Sequence, residues 1–155
     1  MDIEIVTQPD IDVCGLQTEI TRSQQENYRI IRTHWRNFNT HLRARDLKRT
    51  KNWEKFGIIT HINDKYSYLS AIKKTAEIPG FKSYTIAGGE FAKFCHQGNL
   101  ESIRFTILDI YKNKIPRANY KIDLDRALIH FEHYDHRFHW DRKDSIIEIY
   151  VPLIF

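Results

Sequence analysis

Glycine and proline are scarce in this chain, with six and four among 155 residues, and cysteine occurs only twice. So few chain breakers exclude a long flexible linker or a low-complexity tail. Two widely spaced cysteines, Cys14 and Cys95, exclude a disulfide-dense scaffold. They read as free thiols of a reducing compartment, with a single bridge between them as the alternative. No window approaches the ~18 apolar residues that a membrane span requires, so no membrane partner is expected. The opening Met1-Asp2-Ile3-Glu4-Ile5-Val6 lacks the basic region and apolar stretch of a secretory signal, and a cytoplasmic location is expected. A strong charge imbalance is also absent. A net charge of +4 is mild and does not by itself argue for direct nucleic-acid binding.

What remains is a globular balance, 41% hydrophobic and 28% charged, in a chain sized for one domain over residues 1–155. Aromatic residues make up 13%, a surplus that packs a core and can also line a pocket for a flat ligand.

Two halves, about 1–76 and 77–155, share one order of elements. In the first, extended pieces at Ile3–Val6 and Val13–Ile20 flank Pro9. Thr21 or Ser23 can cap a helix, with Glu26 placed as in a capping box. Tyr28, Ile31, Trp35, Phe38 and Leu42 then recur at spacings of three and four, which predicts an amphipathic helix. Arg43 to Lys55 reads as a basic surface loop. Strands are predicted at Phe56–Ile62 and Tyr66–Ile72 around the turn pair Asn63-Asp64.

In the second half, Phe81–Ile86 and Glu90–His96 are extended pieces separated by Gly88-Gly89, which permits a turn or bulge. Asn99 can cap a helix carrying Leu100, Ile103, Ile107 and Ile110 on one face. Strands return at Ala127–Tyr134 and Ser145–Leu153, where Pro152 suits a strand edge or terminus. The interval from Trp35 to Gly57 equals that from Ile107 to Ile129, although the halves share no visible residue identity. The expectation is an α+β fold: two β-α-β-β units (SHS2-like) forming an antiparallel sheet with two helices on one face and a ligand cleft between the units.

The segment Glu77 to Gly98, EIPGFKSYTIAGGEFAKFCHQG, resembles the strand pair that precedes the second helix in GyrI-like (AraC effector-binding) domains. FEHYDHRF at Phe131–Phe138 and IEIYVPL at Ile147–Leu153 are similar to that family's closing strands. The first half fits more loosely, through Val13-Cys14-Gly15-Leu16, a helix with Trp35 and Phe38, and Phe56-Gly57-Ile58. The resemblance implies a small-molecule site between two units, with the family's buried acid falling on Glu132. It also implies relatives that sense drugs for transcription regulators, modulate gyrase, or hydrolyse cyclopropane-bearing genotoxins. No helix-turn-helix region precedes the domain, so direct transcription control is not expected.

Glu132 lies in Leu128–Tyr134, a run of strand propensity, where alternation places His130, Glu132 and Tyr134 on one face and Ile129, Phe131 and His133 on the other. A carboxylate within a central strand is costly to bury without a partner, and a ligand cation would offset that cost. The plain alternative is a solvated glutamate paired with lysine or arginine. Tyr66, Tyr68, Tyr84, Phe91, Trp35 and Tyr150 are candidate pocket walls, each of which ordinary core packing explains as well.

Other signals are weaker. His130, His133, His136 and His139 recur every third residue, but a strand cannot converge them on one metal, and surface histidines are expected, with no metal and no cofactor. Only His133, His136 and His139, with Asp135 or Asp141, could meet in a loop. Gly88-Gly89 has no following Lys-Ser/Thr and is no phosphate loop. The run Arg43–Lys51 reads as a solvated connection. Cys95 and His96 are adjacent in a strand and so point oppositely, which excludes a nucleophile–base pair.

The leading expectation is a non-catalytic binder of an amphipathic, cationic aromatic small molecule. The alternatives are a hydrolase using Glu132 on a strained ring, and an interaction module for a protein partner such as a DNA-binding regulator or DNA gyrase.

Overall fold

The computed structural model describes residues 3–47 and 51–154. Helix α1 spans Gln24–Ala44 and begins where the capping signal stands: Ser23 is extended and its side chain accepts the Glu26 N–H at 3.3 Å. The return bond of a capping box comes from elsewhere, because the Ser23 N–H donates to Thr21 Oγ1 at 3.0 Å. Trp35, Phe38 and Leu42 bury one face of α1. The basic run after it is described only up to Leu47 and from Lys51; Lys48, Arg49 and Thr50 lie outside the described residues.

The strands are β1 (Glu4–Gln8), β2 (Ile11–Ile20), β3 (Lys55–Ile62), β4 (Lys65–Lys73), β5 (Lys82–Ile86), β6 (Gly89–Gln97), β7 (Lys121–Ile122), β8 (Leu128–Tyr134) and β9 (Ile146–Ile154). Helix α2 (Ile103–Asp109) runs through a π-helical segment, Ile110–Lys114, into the short α3, Ile115–Ala118. The expected Asn99 cap acts one turn early: its Oδ1 accepts the Ser102 N–H at 3.0 Å, and the helix starts at Ile103 rather than Leu100. Asn63 and Asp64 both take positive φ, 52° and 62°, as a tight hairpin between β3 and β4 demands.

The units β2-α1-β3-β4 and β6-α2-β8-β9 join through antiparallel pairing of β3 with β8, which sets Gly57 opposite Glu132. Along the sheet the order is β1-β6-β9-β8-β3-β4-β2-β5, so each leading strand pairs with the other unit. Only Pro9 and Asp10 separate β1 from β2, yet the two lie near opposite ends of that order. The sheet must therefore curl until its ends approach. Ala87-Gly88 makes the matching link between β5 and β6, and the two links cross. There the Gly88 N–H donates to Asp10 Oδ1 at 2.7 Å, and a Cβ on Gly88 would stand 2.5 Å from the Gln8 carbonyl oxygen. Gly88 thus serves a close backbone approach at the crossing.

The result is a curled antiparallel sheet with helices on one face, in the α+β class. Both sheet faces are buried. Trp35, Phe38, Ile107, Ile110, Tyr134 and Ile149 pack on the helix side. Val13, Phe56, Phe91, Phe131 and Tyr150 fill the inside of the curl, where Phe131 stacks on Tyr150 at 4.6 Å. Such a pair adds about 0.5–1.5 kcal/mol beyond its buried area. The pairing of β3 with β8 slips after Ile59↔His130 to Thr60↔Leu128, leaving Ile129 as an extra residue. That β-bulge turns Ile129 toward the helices, correcting the strict alternation expected for this strand. Among the described residues, no helix is long and apolar enough to cross a membrane.

Candidate functional site

A cavity of about 330 Å³ opens between α1 and α2, over the seam of β3 and β8. From α1 it takes Asn27, Tyr28 and Ile31, and from α2 Ile103, Arg104 and Ile107. The sheet supplies Ile59, Tyr66, Ile129, His130 and Glu132, and the π-helical segment adds Tyr111. Arg22, Glu101 and Arg104 bring charge of both signs to the lining. Asn27 is buried and fixed, since Thr21 N–H donates to its Oδ1 at 2.8 Å and its Nδ2 donates back to the Thr21 carbonyl at 2.8 Å.

Glu132 is only 3% exposed. Its Oε1 accepts hydrogen bonds from the Tyr68 and Tyr134 hydroxyls, each at 2.6 Å. Trp35 Nε1–H donates in turn to the Tyr68 oxygen at 2.9 Å. Among the described residues, Oε2 has no hydrogen-bond partner, and no lysine, arginine or histidine forms an ion pair with this carboxylate. Burial pushes the Glu132 carboxyl above its ordinary range, and the two tyrosine hydroxyls pull it partly back. Burial and the neighbouring carboxylate hold both tyrosines protonated, so they remain donors.

Space for this cluster depends on Gly57. A Cβ there would fall 2.0 Å from the Tyr68 hydroxyl and 2.6 Å from Glu132 Oε1. Beside it, His130 is buried, with Nδ1 2.9 Å from the Tyr111 hydroxyl. Burial lowers its pKa to about 4, so the imidazole is neutral at pH 7 and brings no cation to the acid.

The residues singled out from sequence separate into three groups. Tyr66, His130 and Glu132 line the cavity. Tyr68, Tyr134 and Trp35 do not line it but stand behind the acid and hold it. Tyr84, Phe91 and Tyr150 belong to the packing inside the curl, on the sheet face away from the helices, so they form no part of this wall. Tyr28 and Ile31, which their spacing places on the apolar stripe of α1, also line the cavity. Tyr111 and Ile129 carried no signal beyond their aromatic or apolar character.

Cys14 is buried and Cys95 exposed, and neither is in a disulfide. His133, Asp135 and Glu148 place ligand atoms within 4.8 Å of one another. Protein cations already serve these groups: Lys93 Nζ lies 3.0 Å from Glu148 Oε2, and Arg137 grips Asp135 at 2.8 Å. His133 stands between the Glu148 and Glu54 carboxylates, 2.7 Å from each. This is an ion network with its own positive charges, and His136 and His139 are exposed outside it.

A curled sheet under paired helices, enclosing an acid at the base of a largely apolar cavity, defines a small-molecule effector-binding fold. The chain belongs to the Cass2 family of integron-associated effector binding proteins, whose sequence model matches residues 4–153. A comparison with curated protein sequences found no significant match. Among solved structures, it is similar to SAV2435 bound to tetraphenylphosphonium, with a TM-score of 0.77 at 17% identity over 99% of this chain and 94% of that one. The integron cassette protein VCH_CASS2 of Vibrio cholerae aligns at a TM-score of 0.65 with 12% identity, over 99% and 96% of the two chains. The EcmrR C-terminal domain aligns at 0.64 with 11% identity, over 99% and 97%. These likenesses are of fold.

Proposed function

We propose that this protein binds an amphipathic aromatic cation in the cavity between α1 and α2, with Glu132 as the counter-charge. The observation that carries this reading is the asymmetry of the carboxylate: Oε1 holds both tyrosine hydroxyls, while Oε2 has no hydrogen-bond partner among the described residues. A buried carboxylate without a cation is costly, and a ligand that brings the positive charge offsets that cost. Tyr28, Tyr66 and Tyr111 add ring faces, each worth roughly 0.5–2 kcal/mol to a nearby cation. The volume suits a small organic molecule. The tetraphenylphosphonium held by SAV2435 is a ligand of this class. The same fold in that protein and in the EcmrR C-terminal domain supports the GyrI-like kinship and a role in sensing or sequestering such compounds.

The test is a calorimetric titration with tetraphenylphosphonium and with triphenylphosphine oxide, a neutral compound of related shape. Glu132→Gln keeps the shape and one oxygen that can accept both tyrosine hydroxyls, and replaces the other oxygen by an amide nitrogen. It is expected to weaken the cation by roughly tenfold or more, at about 1.4 kcal/mol per decade, and to leave the neutral compound nearly unchanged. Failure of the wild-type protein to bind the cation, or equal weakening of both compounds, would sink the proposal.

A further inference from the structure

Tyr134 borders a second recess that Glu132 does not line. It has about 50 Å³ of free space and is lined by Trp35, Trp53, Lys55, Tyr134, Phe138 and Trp140, with Asn39 at its polar side. Five rings from α1, the approach to β3, the end of β8 and the turn after it converge there. Four of them support one another edge to face: Trp35 and Tyr134 at 5.2 Å, Tyr134 and Phe138 at 5.0 Å, Phe138 and Trp140 at 5.3 Å. The chain already places a cation in this setting. Lys55 Nζ lies 5.4 Å from the centroid of the Trp53 ring and donates to Asn39 Oδ1 at 2.7 Å. A second cation, Arg32, covers the Trp140 ring at 5.6 Å.

Among the described residues no carboxylate lines the recess, and what it offers a cation is aromatic rings and a neutral amide oxygen. That chemistry discriminates between cations. A primary ammonium brings three N–H donors that need acceptors, and a small metal ion is strongly hydrated. A quaternary ammonium has no N–H to satisfy and gains directly from ring faces, which is why aromatic cages select it. We propose that this recess is a binding site for a small quaternary ammonium compound, with Lys55 as the resident cation that the ligand displaces. The proposal does not depend on what Glu132 binds.

Tetramethylammonium is the probe, titrated against the full chain by calorimetry, with tryptophan fluorescence as a second readout because Trp53 and Trp140 lie in the recess. Lys55→Met retains an apolar stem and removes one competing charge, and is expected to tighten binding roughly tenfold. Lys55→Gln is expected to gain in the same direction, which guards against a packing effect peculiar to methionine. Trp140→Ala, at a half-buried position, is expected to lose binding in the Lys55→Met background. Saturation of the first cavity with tetraphenylphosphonium is expected to leave tetramethylammonium binding unchanged, and its loss under that competition would place the probe in the first cavity and overturn the proposal. Equal affinity in wild type and both Lys55 variants, or full affinity without Trp140, would overturn the proposal.

Discussion

Gly57 and Glu132 face each other across the pairing of β3 with β8, and the Cβ that the first lacks leaves room for the carboxylate of the second. The same gap admits the Tyr68 hydroxyl that donates to Glu132. A fully buried tyrosine ring cannot swing aside, so the backbone hydrogen atom at Gly57 is part of the site.

Gly57→Ala is therefore expected to destabilise the protein, although alanine suits a strand better than glycine in open surroundings. Overpacking of this kind costs about 1–3 kcal/mol. Urea unfolding followed by circular dichroism measures it, and the variant should also lose tetraphenylphosphonium binding as Tyr68 is forced off Glu132. A midpoint equal to wild type would mean that the cluster relaxes freely and that the close approach imposes nothing.

Gly57 stands alone as a glycine within the predicted strand Phe56–Ile62, and no close approach is expected of it from the sequence, although an isolated strand glycine can mark one. Its partner was not visible, because β3 and β8 meet only in three dimensions. Local signals fared well for the same reason in reverse: Ser23 and the apolar stripe of α1 act within a few residues of themselves. The cross-pairing of β1 with β6 and β5 with β2 is non-local and left no periodic trace. Curling buries both sheet faces, so alternation revealed which aromatic residues share a face but not which face meets the helices. That is why Tyr66 lines the cavity while Tyr84, Phe91 and Tyr150 pack inside the curl. Ile129 joined the cavity through a bulge that only the register shows.

The ionisation of Glu132 should govern ligand affinity. Burial holds this carboxyl above its ordinary value of 4.5, and only the charged form attracts a cation. Binding of tetraphenylphosphonium should tighten as pH rises through the raised pKa and then level off. The free protein should behave in the opposite sense: between 4.5 and the raised value the native state holds a proton that the unfolded chain has released, so stability falls as pH rises there. Thermal unfolding with and without the cation, across that interval, reads both effects. A Glu132→Gln protein with the same pH dependence would assign the titration to another group.

His133 and Glu148 should confine a separate part of the stability to a window of pH. His133 is held above its ordinary 6.5 by the Glu148 and Glu54 carboxylates, which outweigh the opposing effect of burial. A raised folded-state pKa contributes stability that is fully present below 6.5 and lost as pH climbs through the folded value. Glu148 is lowered to about 2, chiefly by its bond with His133 and with help from Lys93, against its own burial. Its contribution is present above the ordinary 4.5 and lost as pH falls toward 2. The two contributions coexist between 4.5 and 6.5, where this network stabilises the join of β8 and β9 most. Urea midpoints of His133→Gln measured against pH are expected to lose the decline on the alkaline side that wild type shows. Because Lys93 still faces Glu148, some of the decline on the acid side should survive in that variant. An alkaline decline identical in both proteins would remove His133 from the account.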